Sequence, residues 1–125
     1  LSAEEIKRFT NIAHHFHMEV LLELHSEGEV KKIDEGVDVI GVNNRDLKTM
    51  KTDIQHSIRM KKLLPSEAVL VSESGIRDPE DIVLLREKGF HGFLIGSHFM
   101  KHSKPHEACK DFITRFKQLT RNHES

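Results

Sequence analysis

Short apolar runs alternate with longer polar stretches along the whole chain, and each run reads as a strand or as one face of a helix. Ser2 opens a helix as its N-cap, and Glu5 completes a capping box. Ile6, Phe9, Ala13 and Phe16 then recur at helical spacing and are expected to face inward. Val20 to Leu24 reads as a strand, and residues 26–35 as a short helix stopped at Gly36. A second strand over 37–42 runs into Asn43-Asn44-Arg45, and a helix is predicted over 53–64 with Pro65 just beyond it. A third strand over 68–71 runs into Ser72-Glu73-Ser74-Gly75. Asp78 caps the next helix, and Pro79 takes its first position, where a missing N–H costs nothing. Gly89 closes that helix. Residues 93–95 make a fourth strand ending in Gly96-Ser97, and the last helix covers 107–119 with Ala108, Phe112, Ile113 and Phe116 inward.

Four strands alternating with five helices predict an α/β fold of parallel βα units. The strands are nearly continuous in apolar residues, as in sheets covered on both faces. Polar residues and glycines gather at the C-terminal end of every strand, the edge on which parallel α/β folds build their sites.

Composition narrows the classes. The 125 residues make one domain with a real core. With 19 Lys and Arg against 20 Asp and Glu, no basic footprint for nucleic acid or an anionic membrane exists. No apolar run approaches the roughly 18–20 residues of a membrane span. Cys109 stands alone, which excludes an internal disulfide framework, and a cytosolic protein is expected. The chain starts with Leu1 rather than Met, so it is expected to be processed or a piece of something longer.

Four constellations carry candidate chemistry. Alternation along the first strand puts Leu21, Glu23 and His25 on one face and Val20, Leu22 and Leu24 on the other. Glu23 is therefore a carboxylate aimed into a barrel or cleft, a costly placement unless it is paired or functional. At the second strand end, Gly41 leaves room, Asn43 and Arg45 project the same way, and Arg45 offers a forked donor for phosphate or carboxylate. At the third, Glu73 and Ser74 crowd against Gly75, which lets a ligand approach the backbone. At the fourth, Gly96 and Ser97 before a short helix offer free amides to an anion. His14, His15 and His17 do not converge with other ligands, so no metal is expected.

Read together, MEVLLELH, VIGVNNRDLKT, VLVSESGI and GFLIGSHFM resemble the second half of the indole-3-glycerol phosphate synthase family. The resemblance implies a half of a TIM (β/α)8 barrel, strands 5 to 8, with residues 1–125 as a C-terminal half-barrel fragment. It implies a lyase of tryptophan biosynthesis without metal or organic cofactor. That enzyme closes the indole ring of 1-(2-carboxyphenylamino)-1-deoxyribulose 5-phosphate with loss of carbon dioxide and water. By position it assigns Glu23, Asn43 and Glu73 as catalytic, and Arg45, Ser74 and Leu94 as substrate-binding. Gly75, Gly96 and Ser97 take the phosphate.

The sequence departs from that family in length. Half of a barrel is present, and the family's early-strand lysines and first-strand glutamate have no counterpart here. No lysine occupies an inward strand position, and Lys48 lies in a loop. The chain alone is expected to be inactive, with Arg45 as the one charged partner of Glu23. The remaining partner is either the first half of the barrel or a second copy of the chain, because an open half barrel leaves two strand edges and an apolar inner face. The alternative reading is a non-catalytic module that binds phosphate or associates with itself.

Overall fold

The computed structural model describes residues 1–95 and 97–124. Helix α1 (Ala3–His15) leads to strand β1 (Leu21–Leu24), a 3-10 helix (Glu27–Lys32) and β2 (Val39–Asn43). Helix α2 (Gln55–Lys61), β3 (Val69–Glu73), α3 (Pro79–Glu87) and β4 (Gly92–Leu94) follow, then α4 (Ser97–Met100) and α5 (Pro105–Glu124). The strands form one sheet in the order β1-β2-β3-β4, and every pairing is parallel. The α/β half-barrel pattern of four parallel strands with helices between them is therefore present.

Local chemistry explains where the elements begin. The Ser2 hydroxyl accepts from the Glu5 N–H at 3.1 Å, and the Glu5 carboxylate accepts from the Ser2 N–H at 3.1 Å. At the end of β1, Glu29 accepts from the N–H groups of His25 (2.8 Å) and Ser26 (3.0 Å), which fixes the turn into the 3-10 helix. Asp81 accepts from the N–H groups of Arg77 and Asp78 at the start of α3. The segment over 26–35 is thus a tight 3-10 turn rather than an α-helix, and β2 and β3 each reach one or two residues further than the apolar run suggests.

Register sorts the side chains onto two faces. Leu24, Ile40, Val42 and Leu70 point to the helices and join Met60, Leu85, Phe90 and Phe112 in a core nearly sealed from solvent. On the other face, Glu23 lies beside Gly41, Gly41 beside Val71, and Val71 beside Gly92. One residue pair further along, Asn43 lies beside Glu73 and Glu73 beside Leu94.

Helix α1 corrects an expectation. Ile6 is buried, but Phe9 and Phe16 are exposed, as are Ile12 and Met18. The helix touches mainly the 3-10 turn, and most of its apolar face stays exposed among the described residues. A polar clasp holds it at the other end of the sheet. His14 Nε2 lies 2.8 Å from Asp38 Oδ2, which also accepts from the Val20 N–H at 2.6 Å. The His14 hydrogen bond, helped by that N–H, holds the Asp38 carboxyl below its usual range. Ile113 on α5 is likewise exposed, while Phe112 is buried and Phe116 partly so.

Candidate active site

The C-terminal ends of β1, β2 and β3 bring three of the expected residues together. Asn43 Nδ2 donates to Glu23 Oε1 at 2.5 Å. Glu23 and Glu73 share a hydrogen bond across the gap above Gly41. That gap is required: a Cβ at Gly41 would collide with the Glu73 carboxylate and press on Leu21 Cδ2 at 3.3 Å. A glycine on the middle strand is what lets carboxyls from β1 and β3 meet.

The two carboxyls are pushed apart in acidity. Burial raises Glu73 to about 7, and the hydrogen bond and negative charge of Glu23 push in the same direction. The Asn43 amide, foremost, holds Glu23 below the usual carboxylate range against the opposing effect of burial, with the Glu73 hydrogen bond and nearby His25 assisting. Near neutrality, then, the pair holds an ionised Glu23 beside a Glu73 that is close to half protonated. Two carboxyls split in this way have the acidities that an acid and base pair requires.

The basic side chain beside Glu23 is His25, whose Nε2 stands 3.8 Å from Glu23 Oε1, rather than Arg45. Arg45 belongs to its own loop: its guanidinium donates to the Met50 carbonyl at 3.0 Å and its N–H to Asn43 Oδ1 at 2.9 Å. That loop borders a cleft of about 920 Å³ that includes His25, Arg45, Lys48 and His56 but not Glu23, Asn43 or Glu73.

Glu73, and not Ser74, occupies the inner position level with Asn43. Ser74 lies one residue past β3 with φ +70, and Gly75 follows with φ +73. Two successive left-handed residues turn the chain sharply. Gly75 is demanded twice, by its φ and because a Cβ there would come within 2.7 Å of Thr52 Cβ. Leu94 stands beside Glu73 and is 54% exposed, an apolar surface next to the pair. Ser97 begins α4. The expectation for Gly96 lies outside the described residues.

Reasoning along the chain did not single out the polar cluster behind the sheet, where Asn44, Ser57 and Ser72 are buried together. Alternation carried the signal: Asn44 and Ser72 are out of phase with Asn43 and Glu73, so they belong to the helix side.

Parallel βα units with carboxyl and amide side chains gathered at their C-terminal strand ends define a TIM-barrel type of α/β fold. The likeness to a solved structure described as "Native KDPGal structure" agrees, with a TM-score of 0.64 over 98% of this chain and 55% of that one, at 19% identity. Residues 1–121 match the family model for indole-3-glycerol phosphate synthase, and the chain belongs to that family. The indole-3-glycerol phosphate synthase of Bacteroides thetaiotaomicron is 48% identical over 113 residues, which cover 90% of this chain and 44% of that protein. That of Acetivibrio thermocellus is 39% identical over 113 residues, with the same coverage. The chain thus spans less than half the length of the curated relatives it matches.

Proposed function

We propose that this chain supplies the second half of the active site of an indole-3-glycerol phosphate synthase. The observation that carries the reading is the Glu23–Asn43–Glu73 cluster on the inner face of three adjacent strands. The ring closure needs a group to polarise the substrate ketone, and the following dehydration needs a base and an acid. Ionised Glu23 is the base of that set. Glu73, with its carboxyl near 7, supplies or accepts a proton at neutral pH. Asn43 orients the substrate and keeps Glu23 ionised. Leu94 walls the aromatic ring, Arg45 and Ser74 bind the substrate's polar groups, and the amides of Gly75, Gly96 and Ser97 take its phosphate. Polarising the ketone falls to a lysine that these strands do not carry, so the partner we favour is the first half of the barrel. The relatives' greater length supports that partner over a second copy of this chain. The cytoplasm, expected from composition, is part of the same reading.

Titrating the chain with indole-3-glycerol phosphate, followed by NMR chemical shifts, tests the assignment. Shifts are expected at Glu23, Asn43, Glu73, Ser74 and Gly75. Millimolar ligand that moves none of them, or moves only the opposite end of the sheet around Asp38, contradicts it.

A further inference from the structure

Between Asn43 and Arg45, Asn44 points away from the site and is 3% exposed. Every hydrogen-bonding position of its side chain is used. Nδ2 donates to Ser72 Oγ at 2.9 Å and to the Ser74 carbonyl at 3.0 Å. Oδ1 accepts from Ser57 N–H at 3.1 Å and from Ser57 Oγ at 2.6 Å. An amide oxygen only accepts, so the Ser57 hydroxyl spends its proton there. Across the 2.7 Å contact between the two serines, Ser72 must then be the donor. The result is a closed ring, Asn44 to Ser72 to Ser57 and back to Asn44, with each proton direction determined.

The backbone of Asn44 adds to this. Its N–H donates to the Glu73 carbonyl at 2.8 Å, and its carbonyl accepts from the Asp53 N–H at 3.1 Å. One residue therefore grips three successive residues of β3 and its turn: Ser72 by its hydroxyl, Glu73 and Ser74 by their carbonyls. Ser74 is also the left-handed residue, a conformation that a side-chain-bearing residue keeps only when its surroundings hold it.

We propose that Asn44 is a positioning residue for the carboxyl pair: by gripping Ser72, Glu73 and Ser74 it holds the Glu73 side chain within hydrogen-bonding reach of Glu23. The proposal rests on Glu23 and Glu73 being the site's acid and base. Glu73 faces Glu23 from β1, with His25 beside Glu23, while Asn43 from β2 and Leu94 from β4 bring no charge. Loosening the grip lets Glu73 part from Glu23 and reach water. Burial, the hydrogen bond to Glu23 and the charge of Glu23, the three causes of its raised pKa, then weaken together.

The test is a pH titration of the Glu73 side-chain carboxyl by carbon NMR in the full chain, in wild type, Asn44→Ala and Ser57→Ala. The wild-type midpoint is expected at about 7. Asn44→Ala is expected to lower it by ~1 pH unit or more, and Ser57→Ala, which spares the grip on Ser74, by less and in the same direction. No substrate is present, so a failure of the catalytic reading leaves this outcome standing. Should Asn44→Ala not fold, Ser57→Ala decides alone: a lowered midpoint supports the proposal, and an unchanged one overturns it. Variants that melt earlier with an unmoved Glu73 midpoint would show that the ring serves stability only.

Discussion

The two faces of the sheet are built on different terms. Toward the helices, Leu24, Val42 and Leu70 are sealed, and the buried Asn44, Ser57 and Ser72 side chains close into a ring of hydrogen bonds. Toward the other side, Leu21, Val69 and Leu94 are about half exposed, and two carboxyls compete for one proton. Adjacent residues on one strand belong to opposite regimes. The helix side is dry, and its Asn44–Ser57–Ser72 ring is satisfied. The inner side departs from this at the carboxyl pair, whose acidities are split, and in the proposal above the helix side holds that departure in place.

The largest effect that separates the faces is expected from neighbours on β3. Leu70→Ala removes a fully buried side chain and should cost about 2–4 kcal/mol in denaturant unfolding. Val69→Ala, one residue earlier on the open face, should cost ~0.5 kcal/mol or less. Equal losses would erase the distinction.

A smaller effect sharpens it. The folded state holds the Glu73 proton up to about 7, whereas an ordinary Glu loses it near 4.5. Between those values the native state binds more protons than the unfolded chain, so stability falls as pH rises through that window. Glu23, held low, has the opposite sign, and its contribution is lost only as pH falls below the usual carboxylate range. Glu73→Gln should flatten the decline between pH 5 and pH 8, and at pH 8 should be more stable than wild type by about 1 kcal/mol after solvent screening. A wild-type chain whose stability rises over that interval contradicts the assignment of the shared proton.

Much of this was legible in the residues themselves. Capping at Ser2, Pro79 after Asp78, and apolar runs bounded by polar clusters gave the order of strands and helices, because those signals are local, while the 26–35 segment proved a 3-10 turn. Alternation along β1 put Glu23 on the inner face, and the structure agrees. Two things were not legible. The inward face expected for Phe9 and Phe16 rested on periodicity, which says that a helix has an apolar side but not whether anything meets it. The proton shared by Glu23 and Glu73 depends on two non-neighbouring strands meeting across Gly41, a register that no local signal contains. Glu73 and Ser74 were both expected at the site; the strand's phase puts Glu73 level with Asn43, and Ser74 lies one residue beyond in the left-handed turn.

The most direct test of the central claim, that Glu23 and Glu73 form half of a catalytic site, is steady-state fluorescence of product from 1-(2-carboxyphenylamino)-1-deoxyribulose 5-phosphate. The chain is assayed alone and then mixed with a separate polypeptide carrying the first half of the Bacteroides thetaiotaomicron relative. No turnover is expected from the chain alone, turnover is expected on mixing, and Glu23→Gln should lower the mixed rate by about 10²-fold or more. Turnover of roughly 1 s⁻¹ by the chain alone, or a mixed rate indifferent to Glu23→Gln, would contradict the account.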